Sequence, residues 1–287
     1  VYWVSTRGRT LSLRAAPIDV GHSLSTFLYD SVDSVVFTSA TLQTASMQGG
    51  DFDYVVARLG LTDRKWDALE VESPFDYGKQ AVLYAPLGMP EPNSYGYTDA
   101  VVDAAWPAVV AANGGAFFLC TSLRAMRRTH ELLKARLEDE GLDMPLLVQG
   151  EGSKNDLLQR FRHHGASILV GSQSFWEGVD VRGEALSLVV IDKIPFAPPD
   201  DPVLSARIEQ MRQQGRNPFM EYQLPRAVIN VKQGAGRLIR DETDRGVLMI
   251  CDPRLLSKPY GRRVWQSLPP MKRTKELQDV LNFFASR

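Results

Sequence analysis

The chain has 287 residues, of which 44% are hydrophobic and 23% are charged, and this composition is typical of a folded globular protein. No apolar run is long enough to predict a membrane span, and the first residues do not resemble a signal peptide. The formal net charge is −1, so any surface that binds nucleic acid has to be local. The sequence does not start with Met, and we expect it to be a segment of a longer protein.

Short apolar runs rich in Val, Ile, Leu and Phe predict strands that are buried on both faces. They lie at 34–40, 81–86, 115–122, 145–150, 167–173, 187–193 and 246–252. Helical patterns lie between them at 98–113, 122–141, 153–164, 202–214 and 223–237. This alternation predicts an α/β fold with a mostly parallel sheet and right-handed crossovers. The two cysteines, Cys120 and Cys251, lie within these runs and are predicted to be buried.

Ligands of such sheets bind beyond the carboxyl ends of the strands, so the polar residues that follow each strand should gather at one edge. These residues are Thr121, Ser122, Gln149, Ser172 and Asp252. The next helical segment, 122–136, is basic and includes Arg124. It is either a solvated helix face or a local surface for nucleic acid.

The helical periodicity breaks near residues 70–80, which predicts two domains, 1–75 and 76–287. The first offers one clear strand and looks like the remnant of a neighbouring domain. The C-terminal segment 271–286 has the pattern of an amphipathic helix. We expect this helix to pack on its own domain, although a docking surface is the alternative.

The segment "KQGAGRLIR" places Arg237 and Arg240 three residues apart, on one face of a predicted helix. Two guanidinium groups on one face suit a terminal phosphate, and Gln233 is predicted to lie on the same side. Gly236 permits the close approach of a ligand. The alternative is a surface helix whose arginines pair with nearby acidic residues.

A second motif, "GSQSFWEGVDVRG", follows the predicted strand at 167–173. Glu177 and Asp180 flank Gly178, and two carboxylates there suit ribose hydroxyl groups or the orientation of the arginines. The aromatic pair Phe175 and Trp176 suits stacking on a base, or an ordinary half-buried anchor.

In order and spacing, these segments resemble the later motifs of superfamily 2 helicases: "TSAT" motif III, "FFLCTS" motif IV, "FWEGVDV" motif V and "QGAGRLIR" motif VI. The form "FWEGVDV…KIPF…PDDP" followed by "YQLPRAVINVKQGAGRLIR" is similar to the DinG/YoaA group, the bacterial branch of the XPD-like helicases. The resemblance covers about residues 30–255 and implies a RecA-like second motor domain, preceded by a remnant of the first.

The resemblance also implies roles for single residues. Arg240 resembles the arginine finger that meets the γ-phosphate, and Arg237 and Gln233 resemble its partners. Glu177, Gly178, Asp180 and Gly236 fall at nucleotide-binding positions. The positions expected near single-stranded DNA are Ser39, Thr41, Thr121, Ser122, Arg124, Ser172, Phe175 and Trp176.

The sequence lacks the G-x-x-x-x-G-K-[ST] loop and the Asp-Glu-x-His motif of the family. We therefore expect ATP with Mg²⁺ to be bound mainly by a first motor domain that precedes these residues. An iron–sulfur cluster is expected only there, because the family's four cluster cysteines are absent here. By itself the chain is expected to be inactive.

The resemblance predicts the C-terminal motor domain of an ATP-dependent DNA helicase, acting on single-stranded or forked DNA in DNA repair. It further implies a monomer in the bacterial cytoplasm, away from membranes, with a replication or repair protein as a possible partner. The alternative is an ATP-independent module with a RecA-like fold that binds single-stranded DNA or protein. A doubly wound transferase is disfavoured, because no Gly-rich turn follows the first strand.

Overall fold

The structure is a computed structural model that describes residues 1–46, 49–172, 175 and 185–286. It divides into two compact units, each made of two chain segments. The first unit comprises Val1–Val71 and Phe196–Ile229, and the second comprises Glu72–Pro195 and Asn230–Arg287. Sequence reasoning did not anticipate that 196–229 packs with the N-terminal segment, and the domain boundary at residue 75 stays a prediction.

The first unit contains two antiparallel hairpins and several helices. The hairpins are β1 (Tyr2–Arg7) with β2 (Thr10–Ala15), and β3 (Thr44–Ser46) with β4 (Gly49–Asp51). The helices are α1 (Gly21–Leu24), α2 (Asp53–Leu59) and α7 (Pro202–Gln213), with π-helical turns at Ser25–Tyr29 and Phe219–Gln223. A small apolar cluster forms where Leu204, Met211 and Tyr222 pack with Tyr54 and Ile208.

The predicted strand at 34–40 is wrong, because these residues have no regular secondary structure in the described chain. A strand needs hydrogen bonds from a neighbour, and none of the described strands pairs with this segment. Val36 is accordingly 83% exposed instead of buried. The two hairpins of the first unit were not predicted.

The second unit contains a seven-stranded sheet. Its strands are β5 (Ala81–Tyr84), β6 (Ala116–Leu119), β7 (Leu146–Val148), β8 (Ile168–Gly171), β9 (Leu188–Ile191), β10 (Gly246–Ile250) and β11 (Lys272–Thr274). Their order is β11-β5-β10-β9-β6-β8-β7, and every neighbouring pair is parallel. The predicted parallel α/β fold is therefore confirmed.

The helices of this unit are α3 (Tyr77–Gln80), α4 (Tyr97–Ala111), α5 (Leu123–Glu140), α6 (Lys154–His164), α9 (Arg254–Ser257), α10 (Gly261–Ser267) and α11 (Leu277–Ala285). Helix α8 (Leu224–Ala235) starts in the first unit and ends in the second. No helix in the described ranges combines the length and the apolar character needed to cross a membrane.

The core of the second unit is formed by strand residues that are buried on both faces, such as Phe117, Leu169 and Leu248. Cys120 and Cys251 are buried free thiols, as predicted, and burial raises the pKa of both. The segment 271–286 is only partly the predicted helix, because β11 takes Lys272–Thr274 and pairs with β5 before α11 begins.

Candidate functional site

The carboxyl ends of β6 and β9 are joined by Asp192, the residue that directly follows β9. Its carboxylate accepts hydrogen bonds from the backbone N–H of Thr121 at 3.0 and 3.1 Å and from the Thr121 hydroxyl at 3.1 Å. The backbone N–H of Lys193 donates to the same group at 2.7 Å. Asp192 therefore fixes the backbone and the side chain of Thr121, one of the predicted contacts to DNA.

Burial raises the pKa of Asp192 to about 6, because the charged form loses its hydration. The hydrogen bonds from Thr121 and Lys193 act in the opposite direction, since they favour the carboxylate. The side chain is only 6% exposed, so the loss of hydration is the larger effect.

A second buried carboxylate, Asp252, follows the neighbouring strand β10. Its carboxylate accepts a hydrogen bond from the backbone N–H of Ile194 at 2.8 Å. The Arg254 guanidinium makes a bidentate contact with the same carboxylate, with Nε 2.9 Å from Oδ1 and Nη2 2.6 Å from Oδ2. The Tyr97 hydroxyl lies within hydrogen-bond distance of the carbonyl oxygens of Asp192 (2.7 Å) and Cys251 (3.2 Å). The ends of β9 and β10 are thereby held together.

The carboxyl ends of β7 and β8 are joined by Gln149. Its side-chain oxygen accepts the backbone N–H of Ser172 at 2.8 Å and the Ser172 hydroxyl at 2.9 Å. The polar residues that follow the strands thus gather at one edge of the sheet, as the sequence predicted.

Phe175 is 2% exposed, and its ring packs against Phe117 at a centroid distance of 6.4 Å. A Cβ atom on Gly171 would lie 2.9 Å from the Phe175 side chain, so this packing requires a glycine. In the described conformation Phe175 is a core residue, and stacking on a base would require the ring to leave the core.

Ser122 caps helix α5, because its hydroxyl oxygen accepts the backbone N–H of Ala125 at 3.1 Å. Arg124 is exposed in the first turn of this helix. A cavity of about 400 Å³ lies beside it and is lined by Leu123, Met126, Arg127, His130, Glu131, Val148, Gln149 and Gly150. The cavity is thus lined both by the start of α5 and by residues at the carboxyl end of β7.

The two arginines of "QGAGRLIR" do not lie on a helix, so the prediction that they share a helical face is wrong. Helix α8 ends at Ala235, and the backbone then forms a tighter turn with i to i−3 hydrogen bonds. The N–H of Arg237 donates to the carbonyl oxygen of Gly234 at 3.2 Å, and the N–H of Leu238 donates to that of Ala235 at 3.1 Å. Arg237 is 8% exposed in this turn. Arg240 follows it in irregular backbone.

The backbone after Arg240 is held by Asp244 and Gln80. One carboxylate oxygen of Asp244 accepts the backbone N–H groups of Arg240 at 2.8 Å and Asp241 at 2.9 Å. The amide of Gln80 donates to the carbonyl oxygens of Asp241, Glu242 and Asp244 at 2.9 to 3.1 Å. Gln80 immediately precedes β5, so this loop lies at the amino ends of the parallel strands, away from the edge that carries Thr121.

Gln233 lies in the last turns of α8. Its side-chain amide ends in a buried oxygen that has no hydrogen-bond partner among the described residues. A buried polar atom without a partner is costly, and this oxygen is an acceptor, so only a donor such as a hydroxyl group or a water molecule can satisfy it. Guanidinium and amide N–H groups are donors that suit phosphate oxygens, and the role of Gln233, Arg237 and Arg240 at a nucleotide stays a prediction. Across the described ranges, no group of His, Cys, Asp and Glu side chains could hold a metal ion.

Ser39 and Thr41 lie in the first unit, where Ser39 is exposed and Thr41 is half-buried. Their hydroxyl groups are 3.1 Å apart, and the Ser39 oxygen also accepts the backbone N–H of Thr41 at 3.2 Å. The predicted site residues Trp176, Glu177, Gly178 and Asp180 lie outside the described residues. Gly236 is exposed in the turn after α8.

Sequence reasoning missed three residues that organise these sites: Asp192, Gln80 and Asp244. Asp192 was within reach, because it follows an apolar strand in the same way as Asp252. Gln80 acts on backbone groups that are 161 to 164 residues away, and no residue pattern marks such contacts. Asp244 acts on backbone groups only three and four residues away.

These features define a parallel α/β domain with one polar sheet edge and a separate loop rich in arginine. The family model described as "Helicase C-terminal domain" matches residues 106–271. The "ATP-dependent DNA helicase YoaA" of Escherichia coli (strain K12) is 44% identical over 284 residues, which cover 99% of this chain and 43% of that protein. The "ATP-dependent helicase DinG" of Mycobacterium tuberculosis (strain ATCC 25618 / H37Rv) is 39% identical over 93% of this chain and 39% of its own length.

A solved structure titled "XPD_Helicase" matches 95% of this chain and 48% of its own chain with a TM-score of 0.65 at 17% identity, a likeness of fold. The fold is therefore RecA-like. The chain belongs to the helicase C-terminal domain family, and nearly its whole length is similar to the YoaA and DinG relatives. It spans less than half the length of the relatives given above.

Proposed function

We propose that this chain is the C-terminal motor segment of an ATP-dependent DNA helicase that couples ATP hydrolysis to movement on single-stranded DNA. The observation that carries the proposal is the loop after α8. In this loop Asp244 holds the backbone N–H of Arg240, the arginine-finger position, and Gln80 holds carbonyl oxygens that follow it. The names of the relatives, one an ATP-dependent DNA helicase and the other an ATP-dependent helicase, support the same activity.

Bound ATP with Mg²⁺ would supply the phosphoanhydride bond that is broken. Arg240 stabilises the negative charge that develops on the γ-phosphate, which in comparable enzymes accelerates transfer by about 10³–10⁵-fold. Arg237 and the Gln233 amide donate to neighbouring phosphate oxygens. Glu177, Gly178, Asp180 and Gly236 are proposed to complete the nucleotide-binding positions.

The polar sheet edge is proposed to contact the DNA backbone. Thr121 is fixed by Asp192, Ser172 is fixed by Gln149, and Ser122 and Arg124 open the basic helix α5. Ser39, Thr41 and Trp176 are further proposed contacts to DNA, as the family resemblance suggests. Phe175 is proposed to support this region by packing in the core and not by contacting DNA. We also propose a monomer in the bacterial cytoplasm, by analogy with the bacterial relatives.

The test is Arg240→Ala in the full-length helicase that contains this segment. We expect kcat for DNA-stimulated ATP hydrolysis to fall by about 10³-fold or more, because the transition-state charge loses its partner, while the Kd for ATP changes little. Arg262→Ala removes an exposed arginine of α10 and is the matched control.

Near-normal turnover in Arg240→Ala would remove Arg240 from the arginine-finger role. A full-length protein that binds single-stranded DNA but hydrolyses no ATP even with Arg240 intact would favour the alternative, an ATP-independent binding module with the same fold.

A further inference from the structure

Three arginines surround two tyrosines in the first unit. Tyr54 and Arg58 lie one helical turn apart on α2. Tyr222, in the π-helical turn before α8, has the same sequence spacing to Arg226 in α8. Arg207 comes from α7 and completes the group. We call these five residues the arginine–tyrosine cluster.

The guanidinium groups converge on Tyr222. The Arg207 Nη1 atom donates to the Tyr222 hydroxyl at 2.7 Å, and the Arg226 Nη1 atom lies 3.5 Å from the same oxygen. Arg207 and Arg58 also lie over the Tyr222 ring, 4.9 and 5.5 Å from its centroid. Three positive charges are therefore held close together.

No described carboxylate forms an ion pair with Arg58, Arg207 or Arg226. Two acidic residues that are near the cluster in sequence have other partners: Glu221 pairs with Arg216 at 2.7 Å, and Glu209 accepts a hydrogen bond from Gln213. Burial raises the pKa of Tyr54 to about 12, so its phenol stays neutral and does not offset the charge.

The uncompensated charge is costly because Arg207 is only 7% exposed. Buried arginines are ordinarily paired with an anion, and clustered guanidinium groups repel one another unless an anion lies between them. Cation–π contact with Tyr222 contributes only about 0.5–2 kcal/mol and adds no negative charge. The missing component is therefore an anion that can accept several N–H groups at once, and tetrahedral phosphate fits this requirement.

We propose that the arginine–tyrosine cluster binds a phosphate group, supplied either as a free phosphate or by a nucleic-acid backbone. Arg58 and Arg226, which are half-buried, provide the entry side, and Arg207 provides the buried side. The proposal goes beyond the nucleotide and DNA contacts proposed above and does not depend on them.

The test compares the 287-residue chain with the double variant Arg58→Gln and Arg226→Gln. The matched control is Arg212→Gln, which removes an exposed arginine from α7, the helix that also carries Arg207. Two ligands are titrated by calorimetry: inorganic phosphate, and a single-stranded thymidine oligonucleotide beside its uncharged methylphosphonate analogue. Circular dichroism shows whether each variant is folded.

We expect the double variant to bind the ligand that supplies the phosphate group about tenfold or more weakly, since it lacks two charge-assisted contacts. The control should change by less than about twofold, because an exposed charge contributes little. If the oligonucleotide is the source, the methylphosphonate analogue should not bind at the cluster, and the salt dependence should decrease by about one unit of slope.

Phenylglyoxal modification of the unmutated chain gives an independent measurement that does not require a folded variant. Bound ligand should protect Arg58 and Arg226 from modification, whereas Arg212 should react equally in both states. Phosphate protection supports a site for free phosphate, and oligonucleotide protection alone supports a site for the nucleic-acid backbone. Unchanged affinities together with no protection by either ligand would overturn the proposal and leave the cluster with a structural role only.

Discussion

At Asp192, burial and hydrogen bonding act on the same carboxyl group in opposite directions. Burial raises its pKa from 3.8 to about 6, although Thr121 and Lys193 donate to the charged form. Because the folded pKa lies above the unfolded pKa, the folded state binds this proton more tightly. The resulting stabilisation is complete below about pH 4 and is lost as the pH rises through about 6.

Asp192→Asn should remove this pH dependence, because the amide does not titrate. Relative to the variant, the unmutated chain should be more stable at pH 4 than at pH 7. This difference in unfolding free energy should change by up to about 3 kcal/mol between the two pH values. Urea unfolding at a series of pH values measures this difference. Asp143→Asn, at an exposed position, is the control, and parallel pH profiles for the unmutated chain and Asp192→Asn would contradict the assignment.

At the scale of elements, buried strands were predictable and strands that depend on partners were not. The apolar runs that became β5, β6, β8, β9 and β10 carry their own signal, because a central parallel strand is buried on both faces. The edge strand β11, "KRT", has no apolar run and forms only through its pairing with β5. The segment 34–40 shows the reverse case, since it has the apolar pattern but no described strand beside it.

In the candidate site, too, features with a local sequence signal were predictable and features that depend on distant partners were not. Residues that follow strands, such as Thr121 and Ser172, were predictable from chain order alone. The end of α8 was not, because Gly234 and Gly236 permit a helix to continue or to turn, and Asp244 and Gln80 stabilise the loop that follows.

Gln80→Leu should loosen the loop that carries Arg240, because three carbonyl oxygens lose their donor and one of them belongs to buried Asp244. A lost hydrogen bond that leaves a buried acceptor costs about 1–3 kcal/mol, so hydrogen exchange at the Arg240 and Asp241 amides should accelerate by about tenfold or more. Mass spectrometry or NMR measures these rates. Gln159→Leu makes the same change at an exposed position of α6 and should have no effect on them; unchanged exchange in Gln80→Leu would show that Asp244 holds the loop alone.

At the scale of the whole molecule, both units depend on distant chain segments. The connection from β9 to β10 passes through Phe196–Ile229, which packs with Val1–Val71, and returns by way of α8. Because β9 and β10 pair directly, the sheet of the second unit closes only when both of its segments are present. The proposed phosphate contacts on the loop after α8 therefore require both segments of the second unit.

The folded chain alone should nevertheless not hydrolyse ATP. Its one Gly-Lys pair, Gly78-Lys79, lies in α3. Asp76 caps this short helix and pairs with the Lys79 ammonium at 2.8 Å, so these residues do not form a loop that wraps a phosphate. We expect no phosphate release from ATP above background, with or without single-stranded DNA, from a preparation that circular dichroism shows to be folded. Arg240→Ala in the same 287 residues separates contamination from real activity: hydrolysis that disappears in this variant would show that the chain carries a complete catalytic site.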